Sequence, residues 1–542
     1  MLAWLEQHKR SVITGVCVLG ALRIFVFGAA LPPFHPVDEA FHFDLVIKYA
    51  SGHVPYRLEH ERFSPDTRET IVLYGTGFSL PRPDSILLYN SPEYLTPAAP
   101  EGVAPPVWTA PDAVRAAALP WGTARWDIVN YEAMEPPAYY GLAGAWYRLG
   151  KWLGLRGGHL FYWTRFLNSA LFVGVVWLAH RFARDFYPGN RFLAQSVPLL
   201  VAAVPQDAFY GVTNDGPLTP LLFGGALYCL LRCSLPRRAW PVYGLAGLLV
   251  AATLLTKYSN VAIVVPLLIT VFSLLARPSA APRRRDGAWK VLTLLLAATL
   301  PVVAWLTRNT RLTAGPTGSY QKYAALGWSL KGLDTLWDHP FFGRDGLIQL
   351  VQPFGHGLLS TLWRGEIVWH RAPMALPSLD RFYSISSTLF LAFAIVRLVG
   401  ASSREERRVT WTCVATVIAA VASLAVLSTL FDFGHRTLHP TPSWPYFTSG
   451  RLLTGILVPF ATTYLYGLEW AFARARLHRL ALAAVGAMVV LITALQIAFA
   501  TGAFESRYNW FHLPWRVATG TTPSAPPLGH SRAGDATVGT NR

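Results

Sequence analysis

Asp38 and Glu39 are adjacent carboxylates in the stretch PPFHPVDEAFHFDLVIKYASGH, Pro32 to His53, which follows directly on an apolar run from Val12 to Leu31. About 20 apolar residues cross the hydrocarbon core of a bilayer, so the acidic pair sits where a membrane helix surfaces. Pro36 stops the incoming segment. Phe41, Leu45 and Tyr49 are then spaced for one apolar face of a new helix that starts near Asp38. Two readings of the pair stand. In one, the carboxylates cap an interfacial helix and complement the positive end of its dipole. In the other, an ionised carboxylate is held at the membrane surface beside a slot for a lipid-linked substrate. His35, Asp38 and His42 also offer a possible divalent-metal site, because Asp38 and His42 stand four residues apart on a helix. Local hydrogen bonding of the histidines is the plainer account of them.

The rest of the chain has to place that pair. Of 542 residues 52% are hydrophobic and only 14% are charged, and the mean hydropathy is positive, so the chain is a polytopic membrane protein. Lys and Arg outnumber Asp and Glu by 47 to 30, an excess that in a soluble protein would suggest nucleic acid. Here the basic residues lie in short clusters between apolar runs, the pattern of the positive-inside rule, and no nucleic-acid partner is expected. Cys17, Cys229, Cys233 and Cys413 all lie in or at the edge of apolar segments and read as helix-packing residues rather than a disulfide or zinc framework. The first apolar run is too long for a signal-peptide core and reads as a retained anchor.

Lys9 and Arg10 before the first run place the N-terminus in the cytoplasm and Asp38 on the far side. Further spans are expected near 161–179, 192–204 and 218–231, then a hairpin within 241–276 that turns at Lys257 to Asn260, then 291–307, 382–398, 411–430, 452–472 and 480–500. The expected fold class is therefore all-α and polytopic, with about eleven transmembrane helices. The chain divides into a signal-anchor helix (1–31), a first extracytoplasmic loop with juxtamembrane helices (32–160), helices two to seven (161–307), a second large extracytoplasmic loop (308–378), helices eight to eleven (379–500) and a disordered extracytoplasmic tail (501–542). Asn130 to Gly154 mixes aromatics with small residues and suits an amphipathic helix lying in the interface.

The polar fragments that this topology puts outside form a set. PVDEAFH resembles the first-loop acidic motif of the GT-C superfamily of membrane glycosyltransferases, whose members include the protein mannosyltransferases that use dolichyl-phosphate mannose. EPPAYY at Glu135 to Tyr140 resembles that family's Pro-Pro-x-Tyr-Tyr juxtamembrane helix. VTND (Val212 to Asp215), LTKYS (Leu255 to Ser259), TRNTRLTAGPTG (Thr307 to Gly318) and SGRLL (Ser449 to Leu453) resemble its bacterial branch of unassigned acceptor. The resemblance implies a GT-C-like fold and an inverting transfer of a sugar from a polyprenyl-phosphate carrier to a glycan, lipid or protein acceptor outside the bacterial plasma membrane.

It also implies roles. Asp38 would take the acceptor hydroxyl's proton, with Glu39 as positioner or alternate base. A carboxylate at a helix N-terminus is a weak base, so positioning must supply much of the rate. Arg308, Arg311, Arg436, Arg451 and Lys257 would meet the departing phosphate, although Arg308 and Arg311 can equally snorkel at a helix end. The family often has Tyr where this chain has Leu452. Glu132 and Glu135 would cap the EPPAYY helix or hold substrate, His42 and Tyr139 border the same space, and Asp215, near the cavity, reads as structural rather than catalytic. A divalent metal is a possible cofactor, and no other is indicated. Two other classes compete with the enzyme: a transporter or flippase for a lipid-linked sugar, and a noncatalytic lipid-binding member. Against transport, no paired, broken segments bear ionisable residues at the membrane midplane.

Overall fold

The computed structural model describes residues 9–34, 38–75, 106–205, 215–235, 239–276, 281–313, 315–346, 352, 357–364, 377–400, 403–435 and 440–514. Among them the chain runs α1 (Lys9–Ala30), α2 (Glu39–Ala50), α3 (Pro65–Tyr74), α4 (Asp112–Arg125), α5 (Pro137–Trp152) and α6 (Gly157–Phe186). Then come α7 (Arg191–Ala203), α8 (Leu218–Cys233), α9 (Trp240–Leu254), α10 (Val264–Leu275), α11 (Ala281–Leu312) and α12 (Ser319–Ala325). The last five are α13 (Leu359–Arg364), α14 (Pro377–Gly400), α15 (Arg404–Thr429), α16 (Leu457–Arg474) and α17 (Ala481–Glu505). Two short strands, β1 (Ser329–Leu330) and β2 (Phe431–Asp432), pair antiparallel, with Ser329 opposite Asp432 and Leu330 opposite Phe431.

Local chemistry sets several of these boundaries. Asn190 accepts a hydrogen bond from the Leu193 amide and starts α7, and Ser403 does the same for Glu406 at the start of α15. Pro65 and Pro137 occupy the first helical positions of α3 and α5, where their missing N–H costs nothing. The hairpin expected within 241–276 is present as α9, a 3-10 turn at Tyr258–Ile263, and α10.

Eight helices among the described residues are long and apolar enough to cross a membrane, and three shorter apolar helices, α7, α8 and α9, lie at the positions of the remaining expected spans. The fold class is thus the all-α, polytopic one. All four cysteines carry free thiols, three of them buried. Residues 515–542 lie outside the described residues, but the tail expected from 501 onward differs in its first part. α17 runs to Glu505, and Tyr508 then packs edge-on against Trp108 while Trp510 meets Phe25 and Phe166, so aromatic contacts hold this stretch against the first loop, α1 and α6.

Charges gather at two opposite ends of the bundle. At one, Asp185 meets Arg181, Arg184 and Arg232, Arg408 donates to the Ser234 carbonyl at 3.0 Å, and Arg397 pairs with Glu469 at 2.8 Å. At the other stand Asp38, Arg165, Lys257, Arg308 and Arg451. Between the ends the helices bury one large apolar cluster, and a second cluster beneath the first loop packs α2, α3, α5 and the start of α6 together. One charge lies inside the apolar run of α1: Arg23 donates to the Ala203 and Val204 carbonyls at 2.8 and 2.9 Å. It satisfies the orphan carbonyls where α7 stops, a requirement that is strict in lipid.

Candidate active site

After α1 ends, the chain turns at Asp38 with φ 65° and ψ 2°, the left-handed region that short polar side chains tolerate best among non-glycine residues. The Asp38 carbonyl accepts the His42 amide at 3.0 Å and begins α2, so Asp38 does occupy the N-cap position. Its side chain makes no capping bond. Instead Tyr131 donates its hydroxyl to Oδ1 at 2.6 Å, and Arg451 Nη2 lies 3.5 Å from Oδ2. Burial pushes the Asp38 carboxyl up, but Arg451, then His42, the Tyr131 hydrogen bond and Lys322 together bring it below the usual carboxylate range.

Glu39, one residue on, points into the protein and is fully buried. Arg165 from α6 takes both its oxygens, at 2.7 and 2.9 Å through Nη2 and at 3.0 Å through Nε. The same guanidinium donates to the carbonyls of Gly28, Leu31 and Pro32 and stacks over Phe161 and Tyr162. Of the two roles expected for Glu39, this geometry favours the positioner: both its oxygens are engaged and its ion pair fixes the α1–α2 corner on which Asp38 rides.

α5 brings the EPPAYY residues to this corner. Gly144 lets it lie close on α2, since a Cβ there would come within 2.9 Å of the Ala50 nitrogen. Tyr140 and His42 Nδ1 share a hydrogen bond of 2.7 Å, while Tyr139 is wholly buried and edge-on to Tyr140 at 5.5 Å. Burial drives His42 down to about 4 against the pull of Asp38, Glu135 and Asp215, so its imidazole is neutral at pH 7. Just before the helix, Glu132 and Glu135 both bond Lys322 of α12, Glu135 at 2.9 Å. Burial pushes both carboxyls up. Lys322, helped by Glu132 and Lys257, overcomes this at Glu135 and holds it low, whereas at Glu132 the charges of Glu135 and Asp38 add to burial and hold it high.

The other expected residues divide. Lys257 pairs with Asp215 at 3.0 Å, and Asp215 also accepts the Thr219 hydroxyl at 2.8 Å, so Asp215 closes the start of α8 onto the hairpin turn. Both interact electrostatically with His42 and belong to the cluster. Arg308 does not join it directly: it donates to the Val54 and Pro55 carbonyls at 3.2 and 2.7 Å and stacks on Trp305. Arg311 is exposed near the end of α11. Asn214, Arg436 and His35 lie outside the described residues, as does most of WRGEIVWHR. Sequence reasoning missed Tyr131, Arg165 and Lys322. Arg165 carried a signal, a charge within an otherwise apolar span; Tyr131 and Lys322 carried none beyond their external placement.

The model of a family of predicted membrane proteins, DUF2142, matches residues 22–431. The chain belongs to that family. No curated protein matches it. Among solved structures it is similar to the oligosaccharyltransferase of the archaeon Archaeoglobus fulgidus. The apo form is 11% identical with a TM-score of 0.43, over 94% of this chain and 57% of that one. The enzyme named AglB, in complex with an inhibitory peptide and a dolichol-phosphate, is 11% identical with a TM-score of 0.40, over 92% of this chain and 56% of that one. The complex with Zn and sulfate is 12% identical with a TM-score of 0.38, over 69% of this chain and 44% of that one. The DUF2142 chain thus spans about half the length of these enzymes.

The described residues of the DUF2142 chain contain no group of three or more His, Cys, Asp or Glu placed to hold a metal ion. Of the metal alternative on His35, Asp38 and His42, only the last two are described, and His42 has Nδ1 engaged by Tyr140. What the cluster offers is an ionised carboxylate at the end of a membrane helix, oriented by a phenol, with a guanidinium and two lysines around it that already hold anionic groups. Such a site can take a proton from a hydroxyl and can neutralise a second, incoming anion.

Proposed function

We propose that this DUF2142 protein is an inverting GT-C-type glycosyltransferase that moves a sugar from a polyprenyl-phosphate carrier to an acceptor hydroxyl on the extracytoplasmic side. The observation that carries the reading is the Asp38 carboxylate, kept ionised at the end of a membrane helix with one oxygen on Tyr131 and the other facing Arg451. The motif resemblance of PVDEAFH, EPPAYY and SGRLL supports it. In the transfer, the acceptor oxygen bonds to the anomeric carbon as its proton passes to Asp38, and the bond from that carbon to the phosphate oxygen breaks. Arg451 meets the charge that develops on the departing phosphate, with Lys257 and Lys322 beside it, while Arg308 and Arg311 add positive charge from the end of α11, outside the cluster.

Asp38 is a weak base because its carboxyl lies low, so the rate rests on alignment. Tyr131 fixes the carboxylate plane, and the Glu39–Arg165 pair fixes the backbone beneath it. The segregation of Arg-rich helix ends from the Asp38 end supports a cytoplasmic N-terminus and an outward-facing site. The acceptor is a glycan, lipid or protein hydroxyl. In a deletion strain, a carrier-linked sugar should accumulate and one envelope glycan should lose that sugar. Wild type restores both, and Asp38→Asn, expressed to the same level, restores neither. Restoration by Asp38→Asn would end the assignment.

A further inference from the structure

The second loop carries exposed apolar side chains that the site does not use. Leu333 is 84% exposed and Trp337 68%, with Leu330 and Phe342 also exposed and the Phe342 ring edge-on to Trp337 at 4.9 Å. Their depth is set at both ends of the segment. At the start, β1 pairs with β2, and the Lys331 amide donates to the Leu430 carbonyl at 2.9 Å, directly after α15 ends at Thr429. At the far end, His339 bonds the Pro445 carbonyl at 3.0 Å, and Phe341 packs on Tyr446 at 4.9 Å and against the transmembrane apolar cluster. Both attachments lie at the ends of membrane helices, so the tips between them cannot stand far above the interface.

We propose that residues 329–342 form an arm seated in the headgroup region of the leaflet on the Asp38 side, with the lipid surface itself as partner of Leu330, Leu333, Trp337 and Phe342. The arm's backbone suits that setting. Three of its amides are paired within the arm, Thr335 N to Gly332 O at 3.1 Å, Asp338 N to Thr335 O at 3.1 Å and Phe342 N to His339 O at 2.9 Å, which lowers the cost of shallow insertion. Trp and Leu prefer this depth, while the exposed Asp334 and Asp338 remain at headgroup level, so zwitterionic lipid is the fitting surface. The arm is also continuous with α12, whose Lys322 holds Glu132 and Glu135. A seated arm therefore ties the site to the lipid surface from which an amphiphile would enter, whatever reaction follows.

The test uses the full chain in phosphatidylcholine vesicles. Leu333→Cys, Trp337→Cys and a control, Glu59→Cys, are each labelled with an environment-sensitive fluorophore, with the unlabelled-site wild type as blank for the four native cysteines. Glu59 is an exposed first-loop residue. Lipids bearing a shallow nitroxide should quench the two arm probes at least twofold more than the control, and aqueous iodide should quench them at least twofold less. Arm probes that iodide reaches as readily as Glu59 would overturn the proposal, because the arm would stand in water. Probes that neither quencher reaches would overturn it too, because a second copy of the chain or its own tail would cover them. Thermal midpoints equal to wild type confirm that the labelled variants are folded.

Discussion

Arg451 Nη2 lies 3.5 Å from Asp38 Oδ2, and the two arrive there from opposite parts of the chain with very different freedom. The Arg451 backbone is fixed. Gly450 is wedged against α13, where a Cβ would collide with Thr361 and Leu362, and its amide bonds the Thr361 hydroxyl at 2.8 Å. The guanidinium, by contrast, is partly exposed, and in the proposed transfer it turns from Asp38 towards the donor phosphate. Asp38, once released, loses its main opposing charge and becomes a stronger base.

Arg451→Ala should therefore have two separable effects. Donor binding weakens by about 1.5 to 3 kcal/mol, roughly ten- to a hundredfold in donor KM, because a charge-assisted contact to phosphate is lost. The acidic limb of the rate–pH profile also moves to higher pH, because Asp38 now keeps its proton longer. Acceptor KM should change little. Arg451→Lys should return the acidic limb towards wild type but leave much of the donor defect, since a lysine cannot bind phosphate in bidentate fashion. A donor KM and an acidic limb both unmoved by Arg451→Ala would remove this residue from the site.

Glu132 and Glu135 look alike in sequence and should behave differently. The Glu132 carboxyl is held high, by burial first and then by the charges of Glu135 and Asp38, so Glu132→Gln changes the charge of the pair less than Glu135→Gln does. Glu135 is the ionised partner of Lys322, and Glu135→Gln leaves that buried ammonium without its counter-charge. Transfer measured at pH 7 should fall less than about threefold for Glu132→Gln and more than about tenfold for Glu135→Gln, on the scale of one lost charge-assisted bond. Equal losses would contradict the opposite shifts of the two carboxyls.

The sequence exposed the fold more fully than the site, for physical reasons. Membrane spans announce themselves by length and hydropathy, and Arg clusters by position, so even α7, α8 and α9 were legible although each is short. Within the candidate site, Asp38 and His42 stood out as polar residues where a membrane helix surfaces, and the EPPAYY segment and Arg451 stood out through motif resemblance. Which way a side chain points was not. Asp38 and Glu39 are neighbours, and only the positive φ at Asp38, together with an arginine on α6, sends one towards Arg451 and the other into the core. Lys322 is equally illegible: it lies in a loop where many charges are solvated, and its meaning comes from a contact with Glu132 and Glu135 in the first loop.

The Glu39–Arg165 pair predicts a stability defect rather than a kinetic one. Breaking a buried pair by removing one partner costs about 3 to 5 kcal/mol, and here Arg165 also satisfies three backbone carbonyls at the end of α1. Arg165→Met should lower the thermal midpoint in detergent sharply and reduce the yield of folded protein. Asp38→Asn should leave the midpoint near wild type, since asparagine tolerates the left-handed backbone as well as aspartate does. If Arg165→Met protein melted like wild type and lost only transfer, Arg165 would instead belong to the chemistry.

His42 supplies the last prediction, a dependence of stability on pH. Its imidazole is driven down to about 4 in the folded protein, chiefly by burial, against the attraction of Asp38, Glu135 and Asp215, with Lys257 opposing protonation from the other side. The unfolded chain binds that proton near pH 6.5. A group whose folded value is depressed gives stability that is complete above its unfolded value and is lost as the pH falls towards its folded one, so the loss here runs from about pH 6.5 down to about 4. Glu132, raised by burial, acts in the opposite sense over part of this range, and the other carboxylates act mainly below it. All of those contributions are shared by wild type and a His42 variant. His42→Gln can still bond Tyr140 but cannot titrate. The difference in thermal midpoint between the two proteins, followed from pH 7 to pH 4, should therefore shift steadily against wild type as the medium is acidified. A difference that stayed constant across that interval would show that His42 takes up no proton late, and its neutral, buried state would have to be abandoned.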